Sequence, residues 1–239
     1  MTAIVSLLQF TTILPLGRSV DLAHFARRLY IYPVAGYVIG GIAAMLVFPL
    51  PSSPHAAAIA LSTVLVLSGF HHLDGLLDFG DMMMVHGGRE RRMAILADPH
   101  VGAGGFGWGM TIILISFGAL LSIPSIIVAI ITAEVMAKAA MACISVLGRP
   151  FREGMHHFLH KYTKKWFLLP AYFLTLPLLL LPISAIGYAI TLLASILVPL
   201  LMLSLSNRIL GGVNGDVVGA TNEITRAVVL VALAAHQYF

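Results

Sequence analysis

The sequence predicts an all-α membrane protein, a polytopic bundle of six to eight transmembrane helices. Hydrophobic residues make up 59% of the 239 residues and charged residues only 10%, and the mean hydropathy is +0.96. A soluble domain carries about a quarter charged residues. The composition therefore excludes a disordered protein and a soluble globule, and the length suits a single domain over residues 1–239 in a lipid bilayer.

Six apolar runs are candidates to cross a bilayer, which takes about 20 helical residues. They fall into three pairs, and each pair is joined by a short turn that contains proline, at 51–54, 124 or 182. The runs are 34–50, 55–70, 106–122, 125–147, 166–181 and 184–205. Two further apolar segments, 1–16 and 227–235, are predicted either to span the bilayer or to lie at its interface, the second of them in combination with residues 221–226.

The basic residues other than Lys138 lie before, between or after these pairs and never in the turns within a pair. They are Arg18, Arg27, Arg28, Arg89, Arg91, Arg92, Arg149, Arg152, Lys161, Lys164, Lys165, Arg208 and Arg226. The positive-inside rule assigns this side to the cytoplasm, so we expect a multi-pass protein of the plasma membrane. A net charge of +4 spread over this length does not predict nucleic acid as a partner, and the sequence leaves a homo-oligomer open.

Acidic residues are concentrated on one predicted helix face. Asp74, Asp78 and Asp81 fall within an arc of about 60° at 3.6 residues per turn. Three like charges on one stripe repel each other unless a cation neutralises them. Mg²⁺ takes oxygen ligands and bridges carboxylates to substrate phosphates, so we predict a metal–diphosphate site at the cytoplasmic ends of the helices. The alternative is a solvated helix face or compensation of the helix dipole.

The residues that follow could complete such a site. Arg89 and Arg92 can hold phosphate by paired donors, although they could equally be topology anchors. The proline after Asp98 disfavours helical geometry at that aspartate. His71 shares the stripe of the aspartates whereas His72 points away, and a histidine beside carboxylates suits general acid–base catalysis or a structural hydrogen bond.

These residues together resemble the cobalamin (5′-phosphate) synthase family. The central motif consists of His72, Leu73, Asp74, Gly75, Leu76, Leu77, Asp78, Asp81, Arg92, Ile95, Asp98, Val101, Gly102 and Gly105. The opening segment with Leu8, Gln9, Phe10, Thr12, Pro15, Pro33, Gly36 and Gly40 is similar to the family's. So is the closing segment with Arg208, Gly211, Gly212, Asn214, Gly215, Asp216, Gly219, Ala220 and Glu223. The similarity covers essentially the whole chain.

The resemblance implies a Mg²⁺-dependent adenosylcobinamide-GDP ribazoletransferase. Such an enzyme joins α-ribazole, or its 5′-phosphate, to the cobinamide phosphate of adenosylcobinamide-GDP and releases GMP. Carried over by position, the metal ligands are Asp74, Asp78 and Asp81, the catalytic residues His72 and Asp98, and the substrate-binding residues Arg89, Arg92, Arg208, Asn214 and Asp216. The motif favours His72 where the helical wheel favours His71; a helix that begins only at Asp74 would reconcile the two.

Two other functions are compatible with parts of the pattern. A CDP-alcohol phosphotransferase-like enzyme also places aspartates around a metal and a diphosphate, but the Leu76–Leu77 pair after Asp74 and Gly75 departs from its signature. A cation- or proton-coupled transporter carries acids within its spans. Here the mid-span charges are chiefly Glu134 and Lys138, which stand at i and i+4 and are predicted to pair.

Overall fold

The fold was obtained as a computed structural model, which describes residues 1–236. Across these residues the chain forms twelve α-helices and no β-strand. They are α1 Thr2–Thr11, α2 Ala23–Ala26, α3 Tyr32–Val47, α4 Pro54–Leu67, α5 His71–Met84, α6 Arg89–Ile95, α7 Ala103–Leu121, α8 Ile126–Leu147, α9 Met155–His160, α10 Leu168–Phe173, α11 Ala185–Leu210 and α12 Gly215–His236.

Five helical segments are long and apolar enough to cross a membrane: Leu29–Val47, which adds a 3₁₀ turn to α3, together with α7, α8, α11 and α12. The helices α4 and α5 pass the same test together but bend by 90° between them. The bend falls at Gly69 and Phe70, whose φ angles of 60° and 58° are left-handed and cannot continue a right-handed helix. The predicted all-α polytopic bundle is confirmed.

Two predicted helix boundaries are wrong. The run 166–181 is not one helix but a 3₁₀ turn, α10 and a second 3₁₀ helix, because prolines along it remove backbone donors. The second error concerns α5, which begins at His71 rather than at Asp74. The last apolar segment, 227–235, combines with the residues before it, as one of its predicted alternatives has it, in the α12 helix that extends back to Gly215.

The three proline-containing turns gather at one end of the bundle. The Ser52 hydroxyl donates to the Pro124 carbonyl at 2.9 Å, and Pro124 and Pro182 line one cavity. Serines in these turns accept from the first turns of α4, α8 and α11 and so cap each returning helix: Ser53, Ser125 and Ser184. Each turn thus starts the helix that returns through the bundle.

The basic loops meet at the opposite end, as their sequence positions predict. The amide of Val213 donates to the Arg149 carbonyl at 2.8 Å and its carbonyl accepts from Phe151 at 3.3 Å, which joins the α8–α9 loop to the α11–α12 loop. The Arg152 guanidinium reaches the Leu96 carbonyl after α6 at 3.4 Å. Three chain segments that are distant in sequence therefore form one surface at this end.

A charged network is buried between α8 and α12. Lys138 lies 3.6 Å from Glu134, as predicted, but the closer partner of Glu134 is Arg226 at 2.5 Å. Arg226 also bonds Glu223, and Lys138 donates to Asn222 at 2.8 Å. The four ionised groups are almost completely inaccessible and their charges sum to zero. A neutral network of this kind explains how α12 lies inside the bundle despite its charges, and it gives no support to an ion pathway.

Helices α3 and α8 approach closely at Gly36. A Cβ atom at Gly36 would lie 2.6 Å from the Val135 Cα and 2.7 Å from the Glu134 carbonyl oxygen, whereas one at Gly41 would meet nothing within 4 Å. Backbone atoms cannot move aside as a flexible side chain can. Only glycine at position 36 therefore permits this crossing.

We expect Gly36→Ala to lower the free energy of unfolding by about 1–3 kcal/mol, because overpacking displaces the α8 backbone. Gly41→Ala, one turn further along the same helix, should leave it unchanged or raise it slightly through helix propensity. Thermal unfolding in detergent micelles measures both variants. Equal melting temperatures for the two would contradict the close crossing.

Candidate active site

The acidic helix α5 crosses the start of α12 through two glycines. A Cβ atom at Gly75 would lie 2.9 Å from the Asp216 carbonyl oxygen, and one at Gly219 would lie 3.1 Å from the His72 carbonyl oxygen. Larger residues would push the helices apart. This crossing brings the first turn of α12, which carries Asp216, onto the aspartate stripe of α5.

Four carboxylates meet at this crossing. Asp78 is close enough to three other carboxylates to be repelled by them: Asp74, Asp81 and Asp216. The positively charged side chain that acts on Asp78 is Arg152. Asp74 is exposed, while Asp78, Asp81 and Asp216 are half-buried. The predicted stripe thus gains a fourth member from the far end of the chain. We call Asp74, Asp78, Asp81 and Asp216 the acidic group.

Asp216 is held in place by two donors. Arg152 Nη2 donates to its Oδ2 at 3.1 Å, and Asn214 Nδ2 donates to the same oxygen at 2.5 Å. The Asn214 side-chain oxygen in turn accepts from the Val217 amide, which starts α12. Asn214 and Asp216, both predicted to bind substrate, are therefore brought to the acidic group. Arg152 was identified only as a topology marker, because nothing local in the sequence relates it to Asp216.

Asp81 differs from the other members of the acidic group because its two oxygens accept from the start of α7. The Gly102 amide donates to one at 2.6 Å and the Gly105 amide to the other at 2.7 Å. A Cβ atom at Gly105 would lie 2.5 Å from an Asp81 oxygen, so glycine is required there. The negative charge also suits a helix N-terminus. The hydrogen bonds of Asp81 in the structure position the start of α7. Its role as a metal ligand stays a prediction.

The predicted arginines have different surroundings. Arg92 donates to the Met82 carbonyl at 2.8 Å and to the Gly87 carbonyl at 3.3 Å, so it secures the end of α5. Arg89 is exposed and its guanidinium lies against Gly211, where a Cβ atom would be 2.8 Å away. Gly211 adopts a left-handed φ of 77° that ends α11. Arg208 is exposed in the last turn of α11. Neither Arg89 nor Arg208 pairs with a carboxylate among the described residues, and their role in binding substrate stays a prediction.

Asp98 is exposed in the loop between α6 and α7. Its carboxylate accepts from the His100 amide at 3.0 Å and contacts the His100 ring at 2.7 Å. The hydrogen bonds from His100 lower the pKa of Asp98 below its usual value, which makes it a weaker base. The hydrogen-bond partner of Asp98 in the structure is His100, which is not part of the acidic group. The catalytic role of Asp98 stays a prediction.

His71 and His72 both line a cavity of about 410 Å³ that also includes Asp216. His71 is exposed, whereas His72 is buried and its Nδ1 has no hydrogen-bond partner among residues 1–236. His156 from α9 lines the same cavity. Burial lowers the pKa of His156 to about 4, so its ring is neutral at neutral pH.

The donors present suit Mg²⁺ better than a tightly caged metal. Within residues 1–236, no three acidic, histidine or cysteine side chains are arranged to hold a metal ion by themselves. Mg²⁺ needs only one or two carboxylates, because water and substrate phosphates complete its octahedron. A bound Mg²⁺ ion would neutralise the excess of negative charge around Asp78.

Comparison with known proteins identifies the family. The family model described as cobalamin-5-phosphate synthase matches residues 3–234. A relative from Halorubrum lacusprofundi named adenosylcobinamide-GDP ribazoletransferase is 34% identical, over 97% of this chain and 96% of its own length. Relatives of the same name from Methanosarcina mazei and Deinococcus radiodurans are 32% and 34% identical, over 94% and 93% of this chain and 89% and 82% of their own lengths. No solved structure matches significantly. The chain belongs to the cobalamin-5-phosphate synthase family.

Proposed function

We propose that this protein is an adenosylcobinamide-GDP ribazoletransferase. It would transfer adenosylcobinamide phosphate from adenosylcobinamide-GDP to a hydroxyl of α-ribazole, or of α-ribazole 5′-phosphate, and release GMP. The observation that carries the proposal is the meeting of α5 and α12, which joins Asp74 and Asp78 to Asp216 beside the arginine-bearing loops. Membership of the family and the names of its relatives support the same activity.

The reaction is a displacement at phosphorus. A ribose hydroxyl oxygen of the acceptor forms a bond to the phosphorus on the cobinamide side, and the bond from that phosphorus to the GMP oxygen breaks. The hydroxyl proton goes to a base on the protein and then to solvent. Phosphoryl transfer depends mostly on positioning and electrostatic stabilisation, so charged groups around the diphosphate matter more than a covalent intermediate.

The residues divide into three roles in this proposal. One or two of Asp74, Asp78 and Asp216 would hold Mg²⁺ together with the substrate phosphates, with Asp81 as a further candidate ligand. A bound Mg²⁺ ion would neutralise the negative charge of the diphosphate. Arg89 and Arg208 would bind the donor phosphates, since their guanidinium groups have no carboxylate partner among the described residues. We assign His72 as the base that takes the proton of the acceptor hydroxyl, because His72 lines the cavity beside Asp216. Asp98 is the alternative base.

Orientation follows from the same arrangement. The acidic group lies at the end where the basic loops meet, and the positive-inside rule places that end in the cytoplasm. We therefore propose a multi-pass protein of the plasma membrane whose active site faces the cytoplasm, where a nucleotide-activated donor is available.

The direct test measures GMP release from adenosylcobinamide-GDP by membranes that contain the protein. We expect GMP release to require both α-ribazole and Mg²⁺, and chelation of the metal to abolish it. CDP-activated alcohols should release no CMP. GMP release that is independent of the acceptor, or transfer from a CDP-alcohol, would contradict the proposal.

A further inference from the structure

The cavity beside the acidic group is lined by residues of six helices. Its walls include Phe10 of α1, Tyr32 of α3, Met141 of α8 and Leu159 of α9, and its rim includes Asp216 of α12. At about 410 Å³ it lies near the lower end of the range for small-molecule sites. A corrinoid is far too large for this volume, whereas a single nucleoside fits.

Three buried polar atoms on residues that line this cavity have no partner among residues 1–236. They are His72 Nδ1, Ser145 Oγ and His156 Nδ1. Their residues are only 7%, 1% and 4% exposed. Seven such atoms occur among residues 1–236, so nearly half of them belong to residues that line one cavity. Because an unsatisfied buried polar atom costs about 1–3 kcal/mol, this concentration indicates a bound molecule with matching polar groups.

The hydrogen bond of His156 defines what that molecule must offer. His156 Nε2 donates to the Gly148 carbonyl at 2.9 Å, since a carbonyl oxygen can only accept. In the neutral ring the proton is therefore on Nε2, and Nδ1 is an acceptor. The molecule must bring a donor such as a hydroxyl to His156. Ser145 can supply a donor of its own to a ring nitrogen.

The charges disfavour the phosphate-rich donor in this cavity. Among the described residues no Lys or Arg lines it, and its one carboxylate is Asp216. Most of the surface of the wall is apolar, which suits a flat aromatic base. Asp216 belongs both to this wall and to the acidic group, so a sugar at that edge would lie beside the diphosphate site.

We propose that this cavity binds the acceptor, a nucleoside with an apolar aromatic base, and that Ser145 and His156 hold it by hydrogen bonds. The inference rests on the proposed function for the identity of the acceptor. The base lies among Phe10, Tyr32 and Met141, and the ribose hydroxyls face His72, His156 and Asp216. The side chains that select the acceptor would therefore lie on α8 and α9, whereas the central sequence motif lies on α5.

Two substitutions at Ser145 test the assignment. Ser145→Ala removes one hydrogen bond and should raise the KM for α-ribazole about 2- to 10-fold, with the KM for adenosylcobinamide-GDP unchanged. Ser145→Phe fills the cavity and should abolish α-ribazole binding while the protein still binds adenosylcobinamide-GDP. Cys143→Ala on the same helix is the matched control, because Cys143 is buried but does not line the cavity, and its KM values should equal those of the wild type.

Equilibrium dialysis of labelled α-ribazole with detergent-solubilised protein in metal-free buffer separates this inference from the proposed function. Binding to the wild type and to Cys143→Ala, but not to Ser145→Phe, supports the cavity assignment even if no GMP is released. If GMP is released but Ser145→Phe, shown to be folded by its melting temperature, keeps the wild-type KM for α-ribazole, the assignment is overturned and the proposed function stands.

Discussion

Asp78→Asn should lower the rate of GMP release by at least about 100-fold without loss of folded protein. The substitution keeps the shape of the side chain and removes its charge. Loss of one electrostatic stabiliser at a reacting centre typically costs 10²–10³ in kcat. Asp78 lies at the centre of the acidic group, within range of Asp74, Asp81 and Asp216, so its neutralisation relieves repulsion. The melting temperature should therefore stay equal or rise, while the activity is lost.

The matched control is Asp21→Asn. Asp21 is exposed in the loop before α2, and its oxygen accepts from the Ala23 amide, which an asparagine can still satisfy. Its activity should stay within about twofold of the wild type. Activity and melting temperature are measured on the same purified membranes. Near-normal transfer by Asp78→Asn would defeat the metal assignment, and a parallel fall in melting temperature would make the effect structural.

The sequence predicted the fold class well because composition and helical length are local properties. The breaks within the run 166–181 and the full length of α12 are not predicted, for opposite reasons. Prolines interrupt the first although its hydropathy is high. In the second, Glu223 and Arg226 lower the hydropathy, but Arg226 pairs with Glu134 on α8 and with Glu223 on α12 itself. Hydropathy averages cannot register such pairing, because the partner lies about 90 residues away.

In the candidate site, too, the sequence predicts the local features and not the contacts between distant segments. The spacing of Asp74, Asp78 and Asp81 predicts one helix face, and α5 is helical throughout. It cannot predict that Asp81 accepts two amides from α7, since Gly102 and Gly105 are brought there by tertiary packing. Ser145 and His156 carry no recognisable motif at all. Their significance appears only when α8 and α9 enclose a common cavity.

Arg226→Met is expected to be the most destabilising single substitution considered. The residue is 1% exposed and bonds both Glu134 and Glu223. Its removal leaves two buried carboxylates with Lys138 as their remaining cation. Breaking a buried ion pair by removing one partner costs about 3–5 kcal/mol. Unfolding in mixed micelles should show a loss of this size in the free energy of unfolding.

A second substitution distinguishes charge balance from simple loss of packing. Glu223→Gln added to Arg226→Met restores neutrality, because one glutamate and Lys138 remain. The double variant should therefore be more stable than Arg226→Met alone, although it carries one more change. Glu223→Gln by itself leaves an excess positive charge and should also destabilise. Such non-additivity is the signature of direct coupling between neighbouring residues. If the two losses simply add, the network stabilises α12 through packing and not through its balanced charge.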